Sequence, residues 1–236
     1  MAGPGVAGRG SAGRGEARQG RDFFYVSIFI FIVAVIQEIT KKGIFIMYET
    51  ISFHWKGVSP LICHNGDLAN PANTFSVQTK KFTSKRKKTE SDYEEIARLG
   101  WFGALYLNED KKPIIPGEVI EGFFNSAAKK NRLGQKAKSG IICESNPEII
   151  YKGSSNIDKL FKDKNFVNQS MVKVQTSKVL RTRPIFKNWE LKFKLHFMSN
   201  VIDREDIIDI AKIGGSIVGI GDWRPKHGRF EIINAV

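Results

Sequence analysis

Trp189-Glu190-Leu191-Lys192-Phe193-Lys194-Leu195-His196-Phe197 alternates large apolar and polar side chains without a break. A period of two sends successive side chains to opposite faces of a strand. Trp189, Leu191, Phe193, Leu195 and Phe197 therefore predict a buried face, and Glu190, Lys192, Lys194 and His196 a polar one. The same alternation recurs near the start of the chain, where Ile51, Phe53 and Trp55 are interleaved with Thr50, Ser52 and His54 over residues 48–55.

Outward from this strand the period changes. Asp203 precedes Glu205, Asp206, Ile207, Ile210, Ala211 and Ile217, which predicts a capped helix to about Val218 with acidic residues at the positive end of its dipole. Gly214 to Phe230 then forms a glycine-rich loop, and Arg229 to Ile233 predicts a last strand. Pro116-Gly117 opens a second helix, expected to reach Lys130, with Val119, Ile120, Phe123, Phe124 and Ala127 as its apolar stripe.

Between these elements the signals are shorter. Residues 56–90 are polar, hold Lys80-Lys81 and Lys85-Arg86-Lys87-Lys88, and predict an inserted basic loop. Ser91 and Glu94 predict a capping box for a short helix to Arg98, followed by a strand over Trp101 to Leu107 and a turn over Asn108 to Lys112. An insertion over residues 134–170 contains strand-like runs at Ile141 to Cys143 and Ile149 to Tyr151 and a small helix near Asp158 to Phe161. Met171 to Thr176 alternates once more. In order these elements read as an α+β chain with the β-α-β-β-α-β pattern of a ferredoxin-like (RRM-like) domain carrying insertions.

Residues 1–22 are rich in Gly, Ala and Arg, a composition that predicts disorder, and the apolar run Phe23 to Ile36 follows. Fourteen residues fall short of the ~20 that span a bilayer as a helix, yet the arginines in front give the run the character of a signal anchor. An alternative is translation assigned too far upstream, since Met47 opens a segment of different character. Residues 1–46 are thus expected to be an appendage and 47–236 the folded domain, in a cytoplasmic protein unless residues 23–36 are a real anchor, in which case a membrane is a partner.

The net charge is +13 over 236 residues. Without residues 1–46, 31 basic and 21 acidic residues leave +10, so the excess belongs to the body and favours a polyanionic partner. Cys63 and Cys143 form no metal-ligand spacing, and the histidines at 54, 64, 196 and 227 form no H-E-x-x-H. A phosphate loop of the G-x-x-x-x-G-K-[ST] type and a G-x-G-x-x-G fingerprint are missing. The expectation is no metal, no cofactor and no catalytic residue.

Ile115-Pro116-Gly117-Glu118-Val119-Ile120-Glu121-Gly122, followed by the strand, the helix and the Gly214 to Phe230 loop, resembles the RAMP superfamily, the repeat-associated proteins that form the RNA-binding backbone of CRISPR effector complexes. The family's first motif reads close to I-P-G-S-S-L-K-G. The resemblance covers residues 100–133 and 189–234, and the body also resembles uncharacterised phage and prophage proteins across residues 173–184 and 221–225. Two departures stand out. Glu121 replaces the lysine usual before the last glycine of the motif, and Gly103-Ala104-Leu105 lacks the aspartate that target-cutting backbone subunits carry.

The resemblance implies binding of single-stranded nucleic acid, RNA ahead of DNA, by a non-catalytic subunit repeated along the strand as a homo-oligomer. Binding is expected at Arg181, Arg183, Lys192, Lys194, Gly219, Gly221, Trp223, Arg224, Lys226, Gly228 and Arg229, with cations pairing phosphates and Trp223 offering a stacking surface. The alternatives are a phage structural or assembly protein with the same fold, and a metal-independent endoribonuclease using His64 with Lys56, or His227 beside Arg224 and Lys226.

Overall fold

The computed structural model describes residues 48–174 and 176–236. The expectations for residues 1–46 lie outside this range. Two antiparallel sheets and six helices build the described part, an α+β architecture. The strands are β1 (Tyr48–Gly57), β2 (Leu61–Ile62), β3 (Ile141–Ile142), β4 (Val167–Val174), β5 (Ser177–Phe186), β6 (Glu190–Met198) and β7 (Phe230–Ala235). The helices are α1 (Thr74–Thr83), α2 (Glu90–Gly103), α3 (Gly117–Ala128), α4 (Gly134–Gly140), α5 (Ile157–Lys162) and α6 (Arg204–Ile217).

The larger sheet has the order β3-β6-β1-β7 and the smaller one β2-β5-β4. In the larger sheet Phe53 pairs with Phe193 and Trp55 with Leu191, so both alternating segments turn their apolar side chains to one face. There Trp55 stacks on Phe230 with ring centroids 3.9 Å apart and meets Phe193 edge-on. Helix α3 lays Ile120, Phe123 and Phe124 on this face, all fully buried. Each such side chain stabilises by roughly 1.5–3 kcal/mol, enough to hold the helix as a fixed wall. Helix α6 crosses α3 closely at Gly214, where a β-carbon would lie 2.5 Å from that of Ala127.

Several expectations are corrected. Residues 56–90 are not a loop: they contain β2, a 3-10 turn at Gly66–Ala69 and helix α1. The carboxamide oxygen of Asn73 accepts from the backbone N–H of Phe75 and Ser76 and starts α1. Its polar faces hid it, since none of its residues is fully buried. The capping box of α2 uses Thr89 and Asp92 rather than Ser91 and Glu94. Of the strand expected over Trp101 to Leu107, Trp101 to Gly103 are instead the last turn of α2, where the Trp101 indole donates to the Phe166 carbonyl at 2.8 Å, and Leu107 forms an isolated bridge with Pro113.

Helix α3 stops at Ala128, and Arg132 leaves the following 3-10 turn with φ of 59°. Asp203 occupies the N-cap of α6 without a capping hydrogen bond from its side chain. Residues 141–142, within the stretch read as an insertion, pair with β6 in the main sheet. Strand β5, which carries Arg181 and Arg183, had no boundary in the sequence reading and pairs with β4 as a long hairpin.

Candidate functional site

The glycine-rich loop is held by backbone. Gly219 N–H closes the end of α6 on the Gly214 carbonyl, Ile220 N–H donates to Gly228, Gly228 N–H to Pro60, and Asp222 N–H to Ile62. Gly219, Gly221 and Gly228 have φ of 70°, 76° and 74°, a region that side chains with a β-carbon enter at a cost. At Gly228 a β-carbon would also lie 1.7 Å from the Ile220 carbonyl oxygen. Gly219 and Gly228 therefore shape the loop from inside. Trp223 shares the left-handed region with φ of 55°, and the Arg224–Pro225 peptide is cis.

This loop forms one wall of a cleft of about 410 Å³. Gly221, Asp222 and Arg224 line it from the loop, Val119, Gly122 and Ser126 from α3, and His64 and Tyr106 complete it. Both glycine motifs of the sequence thus meet on one cavity. Their glycines differ in purpose. Gly117 is required by packing, as a β-carbon there would sit 1.9 Å from the Cys143 carbonyl oxygen, and its N–H is taken by Asn146. Gly122 faces open space, with nothing within 4 Å of an added β-carbon. A glycine inside a helix costs about 1 kcal/mol relative to alanine, and packing gives no reason for this one.

Glu121, the departure from the resembled motif, accepts from the Cys143 N–H at 2.8 Å and does not line the cleft. Inside the cleft wall Arg183 Nη1 lies 2.7 Å from Asp222 Oδ2, with side chains 12% and 24% exposed. It is an ion pair rather than an aligned hydrogen bond, since that oxygen has no hydrogen-bond partner. The same guanidinium lies over the Trp223 ring, 5.6 Å from its centroid. Trp223 also approaches the His227 ring and is half-buried, neither a core plug nor a free surface ring.

Partial burial lowers the His64 pKa below its usual 6.5, and Arg183 lowers it further. Burial and the charge of Lys226 act likewise on His227. Both shifts favour the neutral imidazole. Burial, with the nearby Asp222 carboxylate, pushes the Cys63 thiol up to about 12, so it stays protonated. Among the described residues no group of His, Cys, Asp and Glu could hold a metal ion.

The remaining expected site residues divide by location. Lys192 and Lys194 are exposed on β6, across from His54 and Ser52 of β1, and line a separate groove of about 800 Å³ with Glu144, Ser145 and Asn234. In the same strands His54 pairs with Glu190 at 2.8 Å, and His196 contacts Thr50 at 3.0 Å. Arg181 is exposed on β5, and Lys226 and Arg229 are exposed beside Arg224 in sequence. The structure brings Gly221 and Arg224 onto the cleft, with Arg183 and Trp223 touching behind it. Lys192 and Lys194 do not share that cavity. Tyr106, Gly122 and Ser126 were missed as lining residues; the four-residue helical spacing of Gly122 and Ser126 was their one visible signal.

The chain is similar to the crystal structure of Cmr6 from Pyrococcus furiosus, with 8% sequence identity, a TM-score of 0.38, and coverage of 78% of this chain and 98% of that chain. No family model matches the sequence, and no curated protein matches it. Among the described residues no helix is long and apolar enough to cross a membrane.

Proposed function

We propose that the protein binds single-stranded nucleic acid, RNA ahead of DNA, without cleaving it, through the cleft between the glycine-rich loop and α3. One observation carries this reading: the open Gly122, which the fold does not require, faces a cavity also lined by Gly221 and the exposed cation Arg224. Glycine on both walls lets a ligand backbone approach closely, Arg224 supplies a bidentate phosphate partner, and Trp223 offers a ring face beside it. The +10 of residues 47–236 adds a long-range attraction for a polyanion. The sheet order β3-β6-β1-β7, with α3 and α6 as the connecting helices, supports a ferredoxin-like, RAMP-like domain over 47–236.

The test is an anisotropy titration of the full chain with labelled single-stranded RNA, single-stranded DNA and duplex over a range of salt. Arg224→Ala with Lys226→Ala should weaken binding to every sequence and flatten the salt dependence by up to ~0.7 for each phosphate left without its cation. Unchanged affinity in the double variant would overturn the site.

A second reading is metal-independent RNA cleavage, favoured by neutral His64 and cationic Arg224 lining the same cleft. RNA cleavage by the wild type that is abolished in His64→Ala would replace the binding-only reading with this one.

A further inference from the structure

Helix α1 packs on α2 and α2 on β5, and a groove of about 390 Å³ is lined by residues of all three. Lys80 from α1 and Arg181 and Arg183 from β5 line it, together with the hydroxyls of Ser76 and Thr79, and no carboxylate does. The state of these cations sets the groove apart from an ordinary basic surface. On the same helical pair Lys85 is paired with Asp92 and Arg98 with Glu95. Lys80 and Arg181 are exposed, and among the described residues neither is in an ion pair. Val179 and Leu180 also line the groove and are partly open to solvent, which adds apolar surface beside the cations.

This groove adjoins the loop cleft. His64 lines both cavities, and Arg183, which lines the groove, pairs with Asp222 of the cleft. Each cavity falls in the ~300–1,000 Å³ range of small-ligand sites, so each accommodates about one nucleotide.

We propose that a nucleic-acid strand held at Arg224 continues past His64 and Arg183 into the α1/α2/β5 groove, where Lys80 and Arg181 form a second phosphate subsite. The inference rests on the nucleic-acid reading of the cleft and adds a direction and a footprint to it. One strand occupies both cavities because they share a wall residue and because two unpaired cations on a carboxylate-free rim complement a phosphodiester backbone.

The experiment is a titration of the full chain with oligouridylates of increasing length, from dinucleotide to 16-mer, at several salt concentrations. Wild-type affinity should rise with length. Lys80→Ala with Arg181→Ala should lower affinity for the 16-mer about tenfold, reduce the salt slope by about 1.4 for two phosphates, and leave the dinucleotide within twofold. Arg224→Ala should weaken both lengths. Lys80→Glu should lower 16-mer affinity further than Lys80→Ala if the groove contacts phosphate directly. If the Lys80/Arg181 variant binds all lengths like wild type, or weakens short and long oligomers equally while Arg224→Ala still weakens binding, the second subsite is wrong and the cleft stands. A wild type that binds no oligomer at low salt overturns both.

Discussion

Arg183 Nη1 lies 2.7 Å from Asp222 Oδ2, and this pairing ties strand β5 to the glycine-rich loop. It also decides which cations remain for a ligand. Asp222 neutralises Arg183 at the cleft wall, and among the described residues neither Arg224 of the cleft nor Arg181 of the α1/α2/β5 groove is in an ion pair. In Asp222→Asn a partly buried guanidinium loses its counter-ion, which should cost about 1–3 kcal/mol, between the values for exposed and buried pairs. Urea denaturation should show the loss, while affinity for single-stranded RNA rises because a cleft carboxylate has gone.

Gly122 separates fold from function. Its position faces open space within α3, so Gly122→Ala should stabilise by about 0.5–1 kcal/mol, a rise in Tm of about 1–4 °C. Gly122→Leu should keep the fold and weaken binding about tenfold or more by filling the cleft. Equal affinity in the leucine variant would show that no ligand approaches this face.

Gly228 gives the opposite pattern. Its φ of 74° and the 1.7 Å approach of the Ile220 carbonyl oxygen leave no room for a β-carbon. Gly228→Ala should destabilise by about 3 kcal/mol or more, beyond the ~1–2 kcal/mol of the left-handed backbone alone. Thermal melting checks this, and a near-neutral result would mean the loop relaxes easily.

His64 predicts a pH dependence of defined sign. Its pKa is below 6.5 in the free protein, so its contribution to stability is present above 6.5 and is lost as pH falls through the lowered value. A phosphate beside the ring favours the imidazolium and raises that pKa. Binding should therefore take up a proton and tighten as pH falls from about 8 to about 5. His64→Gln should reduce the slope; what remains is assigned to His227, whose pKa is lowered in the same direction. Affinity independent of pH in the wild type would separate His64 from the bound strand.

Trp223 is half-buried, whereas Trp55, Trp101 and Trp189 are 0–1% exposed. Quenching of tryptophan emission by bound RNA should come from Trp223 and vanish in Trp223→Phe. Quenching retained in that variant would place the bases elsewhere.

Much of the larger sheet was legible in the residues. The alternations at 48–55 and 189–197 became β1 and β6, and the stripes beginning at Val119 and Ile207 became α3 and α6. These patterns are local: a strand or helix buried on one side writes its period into a dozen neighbouring residues. Helix α1 escaped notice because it buries no residue fully, and α2 was cut short because Trp101, Phe102, Ala104 and Leu105 form an apolar run that suits strand and helix alike.

By itself, then, the amino-acid sequence determined the α+β class, the main-sheet elements, the basic body and the two glycine motifs. Only the tertiary structure decided where the residues of those motifs sit. It packed Gly117 against the Cys143 carbonyl and left Gly122 open on a cavity shared with Gly221, about a hundred residues away. It paired Arg183 with Asp222, bound Glu121 to a backbone amide, and put Lys192 and Lys194 outside the cleft. Periodicity reports which side of an element is buried, but it carries no information on which element lies opposite. That depends on strand register and helix crossing, which are set by the packing of distant residues such as Trp55 on Phe230 and Gly214 on Ala127.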